Sequence, residues 1–569
     1  MIQHPVSIYI NWAAYDELSD NVELTESLAM RQLDELLRLR RLGVRFDYYL
    51  MDAFWYARDG GYRTWRTPHW PSGPDAWLDR CLSNNVLPGL WVAGNSMHRL
   101  DPAPAWRDSL TVDGQSCCLF SGGFFNHFLE SLRLWYARGV RLFKFDFMNL
   151  GAATPALECA MLPSEVRAHN IAALIAGLKQ LRADCPEVML LGYNGFEEPN
   201  WAHGSPHHPQ SNTSLPFRKT IDTKWLEVFD AMYCGDPRPA DVPAANFWRA
   251  KDVYSDHMVR VYALNGYPLS RIDNSGFMIG ATGTCYYRRT AAWKGMLLLS
   301  LARGGWANTY YGNLDLLSDA DALWFAKAQS LFLPLQTFGR VSTFGALPGA
   351  GRPYGFLSLG LSGALITVVN PSQAVARLDL PALPADTCAG RRLLFHDAGF
   401  APRLDEQTIT LGAEQMAVIG AGEYAAPDND LGIQEDVVIP ASIAPLNADF
   451  APDGEKAITA TVSAPAQAGL RIVFRQSDAH GIAKRATGGS PPNGVTLGKL
   501  LILSAQQDGR EIALDIQYDK AIWSGLSWAV AEAPANRLQA GAPVTIRCET
   551  NEAGAVTLTG DVFAVRHDS

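Results

Sequence analysis

The chain has 569 residues, of which 48% are hydrophobic, 10% aromatic and 19% charged, a composition typical of a folded protein with about two to four domains. Its net charge of -10 excludes the basic surface that nucleic acid or an anionic membrane would require. The nine cysteines include no CxxC pair, which argues against a disulfide framework and a zinc site. No secretion signal or run of about 20 apolar residues occurs, so we expect a cytoplasmic protein, or a secreted or periplasmic one only if a signal peptide was removed.

Short apolar runs alternate with helical patterns from the N-terminus to about residue 338. The eight runs that read as strands are SIYINW, FDYYLMDAFW, VLPGLWVAG, VRLFKFDF, VMLLGYNGF, WLEVFDAMYCGD, YPLSRIDNSGF and WANTYYGN. Eight strands separated by helices indicate a (β/α)8 TIM barrel over residues 1–338, in which an active site lies at the C-terminal ends of the strands.

Beyond that point the helical patterns stop and short strands separated by Gly and Pro follow. They predict an antiparallel β domain, a β-sandwich, over residues 339–428 and a further all-β domain over residues 429–569, with carbohydrate binding as a candidate role for the last. An exposed β domain is also a candidate surface for homo-oligomer formation.

The fourth predicted strand, in RLFKFDFMNL, carries two charges inside an apolar run. Side chains alternate along a strand, so Lys144 and Asp146 share one face while Phe143, Phe145 and Phe147 share the other. The pair is either a buried Lys144–Asp146 ion pair that fills the barrel or part of a catalytic mouth.

Other acids and aromatic residues also gather at predicted strand ends. They are Asp52, Trp55, Trp91, Tyr193, Asn194, Asp236, Arg271 and Asp273. Carboxylates bind sugar hydroxyls and aromatic faces cover the apolar side of a sugar ring, so this set favours a sugar pocket.

Motifs for other chemistries do not occur in the sequence. We find no HExxH, no GxSxG elbow, no P-loop and no dinucleotide fingerprint, and therefore expect neither a metal nor another cofactor. Glycosidic cleavage needs only two carboxyl groups, and Asp146 suits the one that attacks the anomeric carbon. A lysine beside Asp146 would favour the charged form of this carboxylate.

These motifs resemble those of the α-galactosidase superfamily of retaining α-glycosidases, a melibiase-like group that is related to an α-glucosidase branch. KFDFMN is similar to the Lys-x-Asp motif of the superfamily's fourth strand, which implies that Asp146 is the nucleophile. LMDAFW is similar to the end of its second strand, which implies that Asp52 binds sugar hydroxyls.

The resemblance leaves three candidates for the acid/base. Asp236 in YCGDPRPAD matches the position after strand six and ranks first, although Pro237 departs from the family pattern. Asp273 in RIDNSGFMIG ranks second, either as a wall of the pocket or, with Arg271, as the acid/base motif itself. The nearby Asp241 ranks third.

The resemblance implies a retaining exo-acting α-glycoside hydrolase, α-galactosidase-like, that cleaves terminal α-linked sugars from oligosaccharides or glycoconjugates by double displacement. An α-glucosidase or a transglycosylase with the same residues is the alternative within the enzyme class. A non-catalytic sugar-binding protein is the alternative outside it.

Overall fold

The computed structural model describes most of the chain. It covers residues 1–12, 14, 24–196, 223–233, 255–279, 292–348, 352–372, 374–384, 390–477, 501–518, 527–550 and 557–567. Two predicted site residues, Asp236 and Asp241, lie outside these ranges.

The first region is a parallel eight-stranded barrel. Its strands are β1 (Val6–Ile10), β2 (Tyr48–Met51), β3 (Leu87–Val92), β4 (Leu142–Phe145), β5 (Met189–Gly192), β6 (Ala231–Met232), β7 (Asp273–Ile279) and β8 (Ala307–Gly312). They pair in the order β6-β5-β4-β3-β2-β1-β8-β7, and a parallel bridge from Met232 to Ile272 joins β6 to the residue before β7. The ring of strands is thereby closed.

Helices cover the outside of this barrel. They are α1 (Glu26–Arg41), α2 (Asp75–Ser83), α3 (Phe124–Ala137), α4 (Pro155–Ala160), α5 (Pro163–Asp184), α6 (Ser255–Leu264), α7 (Trp293–Ala302) and α8 (Asp319–Phe338). In the part of the chain given above, none of them combines the length and apolar character needed to cross a bilayer.

The alternation in β4 explains how a charged pair comes to face the barrel interior. Phe143 and Phe145 are fully buried, and the Phe145 ring packs edge-on against Phe128 of α3 at 5.7 Å between ring centroids. Because these rings point outward to the helices, Lys144 and Asp146 point inward.

Two all-β regions follow the barrel. The strands of the first are β9 (Val341–Gly345), β10 (Tyr354–Leu359), β11 (Gly363–Val369), β12 (Ala376–Asp379), β13 (Arg391–Gly399), β14 (Arg403–Leu404), β15 (Thr408–Leu411) and β16 (Met416–Gly422). They form a larger sheet and a three-stranded sheet, β12-β15-β14. The strand β17 (Gly432–Ile439) completes the larger sheet in the order β17-β13-β16-β11-β10-β9, although the sequence assigned it to the last region.

The last region is a sandwich of two five-stranded sheets. Its strands are β18 (Ser442–Leu446), β19 (Ala451–Pro452), β20 (Ala457–Ser463), β21 (Gly469–Ser477), β22 (Leu501–Gln507), β23 (Arg510–Glu511), β24 (Asp515–Tyr518), β25 (Ser527–Ala533), β26 (Pro543–Thr550) and β27 (Thr557–Arg566). The orders are β18-β27-β21-β25-β24 and β19-β20-β26-β22-β23. The predicted fold class, a TIM barrel followed by β domains, is confirmed.

Candidate active site

Strand register brings the second, third and fourth strand ends to one level of the barrel interior. Met51 pairs with Leu90 and Trp91 pairs with Lys144, so Asp52, which follows Met51, lies beside Trp91 and Lys144. Residues paired across parallel strands point to the same side, so all three side chains enter the barrel.

A buried ion pair lies at this level. The Lys144 Nζ is 2.9 Å from Asp52 Oδ2, and both side chains are buried. Burial raises the pKa of Asp52, and the Lys144 ammonium lowers it in part. The Asp52 backbone N–H donates to Asn11 Oδ1 at 2.8 Å, which ties β2 to the end of β1. The buried ion pair is therefore Lys144–Asp52, and the alternative of a Lys144–Asp146 pair is wrong in its partner.

Asp146 follows β4 and is 7% exposed, with its carboxylate held by N–H donors from three segments. Trp91 Nε1 donates to Oδ2 at 3.1 Å. Asn194 Nδ2 and the Phe147 backbone N–H donate to Oδ1 at 2.7 and 2.9 Å. Hydrogen bonds to a carboxylate are strong, so this group is fixed in one orientation at the C-terminal end of the barrel.

A second carboxyl group lies across the interior. Tyr193 donates its hydroxyl to Asp273, and Thr309 Oγ1 donates to Asp273 Oδ1 at 2.8 Å. The hydroxyls of Tyr193 and Tyr311 are 2.9 Å apart, and Lys144 Nζ lies 4.2 Å from the centroid of the Tyr193 ring. Burial raises the pKa of Asp273 to about 6, although the hydrogen bonds from Tyr193 and Thr309 lower it.

Asp273 reaches this level from the beginning of its strand, not from the predicted strand end. Gly192 pairs with Met232, and Met232 pairs with Ile272. The residues that follow, Tyr193 and Asp273, therefore share a level although one ends β5 and the other begins β7.

Trp55 does not belong to this group, contrary to its prediction as a sugar-binding residue. Its side chain has no exposed surface, and its Nε1 donates to the Trp91 carbonyl at 2.8 Å. Trp65 and Trp135 pack against it at 4.9 and 5.6 Å between ring centroids. The ring is part of the core behind β2 and β3 and leaves no face for a sugar.

Arg271 is also placed elsewhere. It ends a 3-10 turn, Leu269–Arg271, and its guanidinium donates to the carbonyls of Asp230 and Leu226 at 2.8 and 3.0 Å. Asp230 precedes β6 and accepts from the backbone N–H of Ile2, so Arg271 lies at the N-terminal end of the barrel. Arg271 and Asp273 therefore do not form one acid/base motif, because the Arg271 guanidinium binds carbonyls at the N-terminal end of the barrel while the Asp273 carboxyl lies in the interior beside Tyr193.

An aromatic group at the mouth was not predicted. The ring of His98 stacks on Phe54 at 5.0 Å and meets Phe147 at 5.0 Å, while the Arg99 guanidinium lies 4.3 Å from Phe54 on the same stack. We call these four residues the mouth stack. Phe147 does not face outward with the other phenylalanines, as alternation predicted, because β4 ends at Phe145 and the chain turns. The predicted strand runs extend through Phe54 and Phe147, whereas β2 ends at Met51 and β4 at Phe145 and both residues lie in loops.

The interior groups suit a ligand rich in hydroxyls. Asp52 and Asp146 offer carboxylate oxygens, Lys144 and Tyr193 offer donors, and several of these groups share hydrogen bonds that a ligand could replace. Negative charge at this point also favours a substrate carbon that becomes positive in the transition state. Within the ranges covered by the structure, no group of three or more His, Cys, Asp or Glu could hold a metal ion.

Comparisons with known proteins detect the fold but no related sequence. No protein-family model and no curated protein matches the chain. Among solved structures, the chain is similar to the galactosidase domain of the α-galactosidase-sucrose kinase AgaSK, with 14% identity and a TM-score of 0.50 over 74% of this chain and 55% of that one.

Two further solved structures extend the comparison. A GH36 α-galactosidase from Geobacillus stearothermophilus in complex with 1-deoxygalactonojirimycin gives 14% identity and a TM-score of 0.49 over 74% of this chain and 56% of that one. An α-amylase from Lactobacillus plantarum gives 13% identity and a TM-score of 0.44 over 73% and 98% of the two chains. The chain spans about half the length of these two α-galactosidase structures. It shares the fold of the galactosidase domain of AgaSK.

Proposed function

We propose that this protein is a retaining exo-acting α-glycoside hydrolase, α-galactosidase-like, that removes terminal α-linked sugars from oligosaccharides or glycoconjugates. The observation that carries the proposal is the Asp146 carboxylate, fixed at the C-terminal end of β4 by N–H donors from three segments. The fold shared with α-galactosidases supports the same assignment.

In the first step a carboxylate oxygen of Asp146 attacks C1 of the terminal sugar. The bond between C1 and the leaving oxygen breaks, and the leaving oxygen takes a proton from the acid/base, for which Asp236 is the first candidate. In the second step water attacks C1 and gives a proton to the acid/base, while the bond from C1 to Asp146 breaks. Two inversions at C1 return the α configuration.

The buried pair beside Asp146 suits the glycone. Asp52 can accept hydrogen bonds from sugar hydroxyls, and Lys144 can donate to a sugar oxygen. Tyr193, Asn194 and Asp273 would form the neighbouring wall, and Trp91 would act through the orientation of Asp146. If Asp236 is the acid/base, we expect its carboxyl about 5 to 5.5 Å from that of Asp146.

The rival functions differ in measurable products. An α-glucosidase would prefer glucosides with the same residues, and a transglycosylase would form products with an added acceptor sugar. A sugar-binding protein would show saturable affinity without hydrolysis. The buried carboxylate of Asp146 and its donors favour an enzyme, because a protein that only binds a sugar does not need a carboxylate held in one orientation.

The test is release of p-nitrophenol from a panel of α- and β-linked galactosides, glucosides, N-acetylgalactosaminides and xylosides. We expect cleavage of one α-glycoside and at least a thousandfold loss in Asp146→Ala. Added azide should then restore turnover and yield the β-glycosyl azide, because the small anion occupies the space of the lost carboxylate. Residual activity above about a thousandth of wild type would contradict the nucleophile role.

A further inference from the structure

The residue after Asp146 has an unusual backbone conformation. Phe147 has a φ of +50°, in the left-handed region that costs a side chain other than Gly roughly 1–2 kcal/mol. Such conformations persist where the surrounding structure imposes them, and they concentrate at functional sites.

The surrounding structure does impose this turn, which spans residues 146–148. A Cβ at Gly94 would lie 2.0 Å from Met148 Sδ, and a Cβ at Gly195 would lie 1.9 Å from the Met148 carbonyl oxygen. The Met148 N–H donates to the Asn194 carbonyl at 3.0 Å. The loops after β3 and β5 therefore pack against the turn from both sides and fix its conformation.

The turn has two consequences at the site. It directs the Phe147 N–H to Asp146 Oδ1, and it places the Phe147 ring against His98 at the barrel mouth. The ring is 39% exposed, whereas Asp146 and Lys144 are almost completely buried. Trp91 separates the two environments, with its ring 5.8 Å from that of Phe147.

The difference in exposure between Asp146 and Phe147 indicates in which direction a substrate would lie. The terminal sugar must reach the buried groups around Asp146, so the part beyond the scissile bond lies outward, toward the mouth stack. We infer that Phe147, supported by His98, is the specificity-determining platform for the leaving group, and that this group is a sugar with an apolar face. The inference rests on the proposed function, because only a cleaved glycoside has a leaving group.

The test compares two substrates that share a glycone. α-Galactosyl fluoride has no leaving sugar, whereas α-galactosyl-(1→6)-glucose has one, and the glucosyl pair replaces them if wild type prefers glucosides. In Phe147→Gly the ring is absent, but the N–H to Asp146 and the positive φ are retained. We expect kcat/KM for the disaccharide to fall at least tenfold more than kcat/KM for the fluoride.

Phe338→Ala is the matched control, because it removes a 44% exposed phenyl ring at the end of α8, remote from the mouth. This variant should leave the ratio of kcat/KM for the disaccharide to kcat/KM for the fluoride unchanged. An equal fall on both substrates in Phe147→Gly, or no fall on either, would overturn the inference.

Binding separates this inference from the proposed function. In the Asp146→Ala background, calorimetry should show tighter binding of the disaccharide than of galactose, and Phe147→Gly should abolish that difference. If wild type cleaves neither substrate, the proposed function is refuted, and the affinity difference would then show only that the Phe147 ring binds the second sugar. Equal affinities for the disaccharide with and without the Phe147 ring would refute the role of Phe147 as a platform.

Discussion

At the residue scale, the indole of Trp91 gives a test of how Asp146 is oriented. Trp91→Phe keeps a ring but removes the N–H that is donated to Asp146 at 3.1 Å. A hydrogen bond to a charged group contributes roughly 1.5–3 kcal/mol, so we expect kcat to fall by about ten- to a hundredfold. Steady-state kinetics on the preferred aryl glycoside measures the effect.

Trp306→Phe is the matched control for this change. Its indole N–H donates to the Gln336 carbonyl at 2.8 Å. Trp306 precedes the N-terminal end of β8, whereas Asp146 follows the C-terminal end of β4. Trp306→Phe should lower the thermal midpoint to a similar degree and leave kcat unaffected. Equal kcat values for Trp91→Phe and wild type would show that the indole does not orient the carboxylate.

The buried ion pair provides a second residue-scale prediction. Lys144→Met leaves Asp52 buried without its ammonium partner, and removal of one partner of such a pair destabilises a protein by about 3–5 kcal/mol. The double variant Lys144→Met, Asp52→Asn should regain a large part of this stability, because no unpaired charge is left. Urea unfolding of both variants measures the difference.

A surface pair sets the reference for that experiment. Lys179 and Glu227 also form an ion pair, but both side chains are more than half exposed, so Lys179→Met should cost about 0–1 kcal/mol. A double variant no more stable than Lys144→Met would mean that the lost packing of the lysine stem, not the charge of Asp52, causes the destabilisation.

Sequence alternation placed Lys144 and Asp146 on the interior face but did not identify the partner of the lysine. The partner depends on which residues of β2 and β3 lie beside Lys144, and that register is fixed by the closed sheet. Residues two apart on one strand point the same way, yet a cross-strand neighbour can lie closer. The alternation of phenylalanines continues through Phe147 in the sequence, so it does not reveal that the strand ends at Phe145.

At the scale of elements, the sixth and seventh strands show the limit of sequence patterns. β6 has only two residues, and the run YPLSRIDNSGF contains a 3-10 turn before β7 begins at Asp273. An apolar run of this length cannot mark where a strand starts, because turns and strands both bury apolar side chains. Longer strands such as β1 and β8 coincide with their predicted runs.

The burial of Asp273 at the beginning of β7 leads to a prediction about how folding stability depends on pH. Burial raises its pKa from 3.8 to about 6, so the folded state holds this proton more tightly than the unfolded state does. Folding stability from this residue is therefore greatest below about pH 4 and falls by about 3 kcal/mol as the pH rises through 6. Asp273→Asn removes this pH-dependent contribution.

The measurement is the difference in unfolding free energy between wild type and Asp273→Asn from pH 4 to pH 7. Asp397, another buried acid with its pKa raised to about 7, contributes with the same sign in both proteins and cancels in the difference. A difference that is constant across this range would show that the Asp273 carboxyl does not titrate as its burial implies.

At the scale of the whole molecule, alternation of strands and helices was enough to predict the barrel and the β regions in their order. It was not enough to predict how the regions are joined. β17 crosses the predicted boundary to pair with β13, and Arg471 of β21 reaches Glu414 between β15 and β16. Such long-range pairs leave no pattern in the sequence between them.

The charges around Arg471 form a link between the two β regions. Its guanidinium lies 3.6 Å from Glu414 and 2.5 Å from Glu532, and His567 lies 3.5 Å from the other oxygen of Glu532. Burial would raise the pKa of Glu532, but the hydrogen bond from His567 and the charge of Arg471 lower it to about 2. The stabilisation from this carboxylate is therefore present above about pH 4.5 and lost as the pH falls toward 2.

This link predicts that the last region unfolds separately once the cation is removed. Arg471→Met removes the cation that faces the carboxylates of Glu414 and Glu532, so we expect about 3–5 kcal/mol of destabilisation and a new low-temperature transition in calorimetry. Arg537→Met is the control, because the Arg537–Asp515 pair is exposed within the same region and should contribute at most about 1 kcal/mol. Activity on a small aryl glycoside should survive the first transition, because the site lies in the barrel. A single unshifted transition in Arg471→Met would show that packing, not this charge cluster, joins the regions.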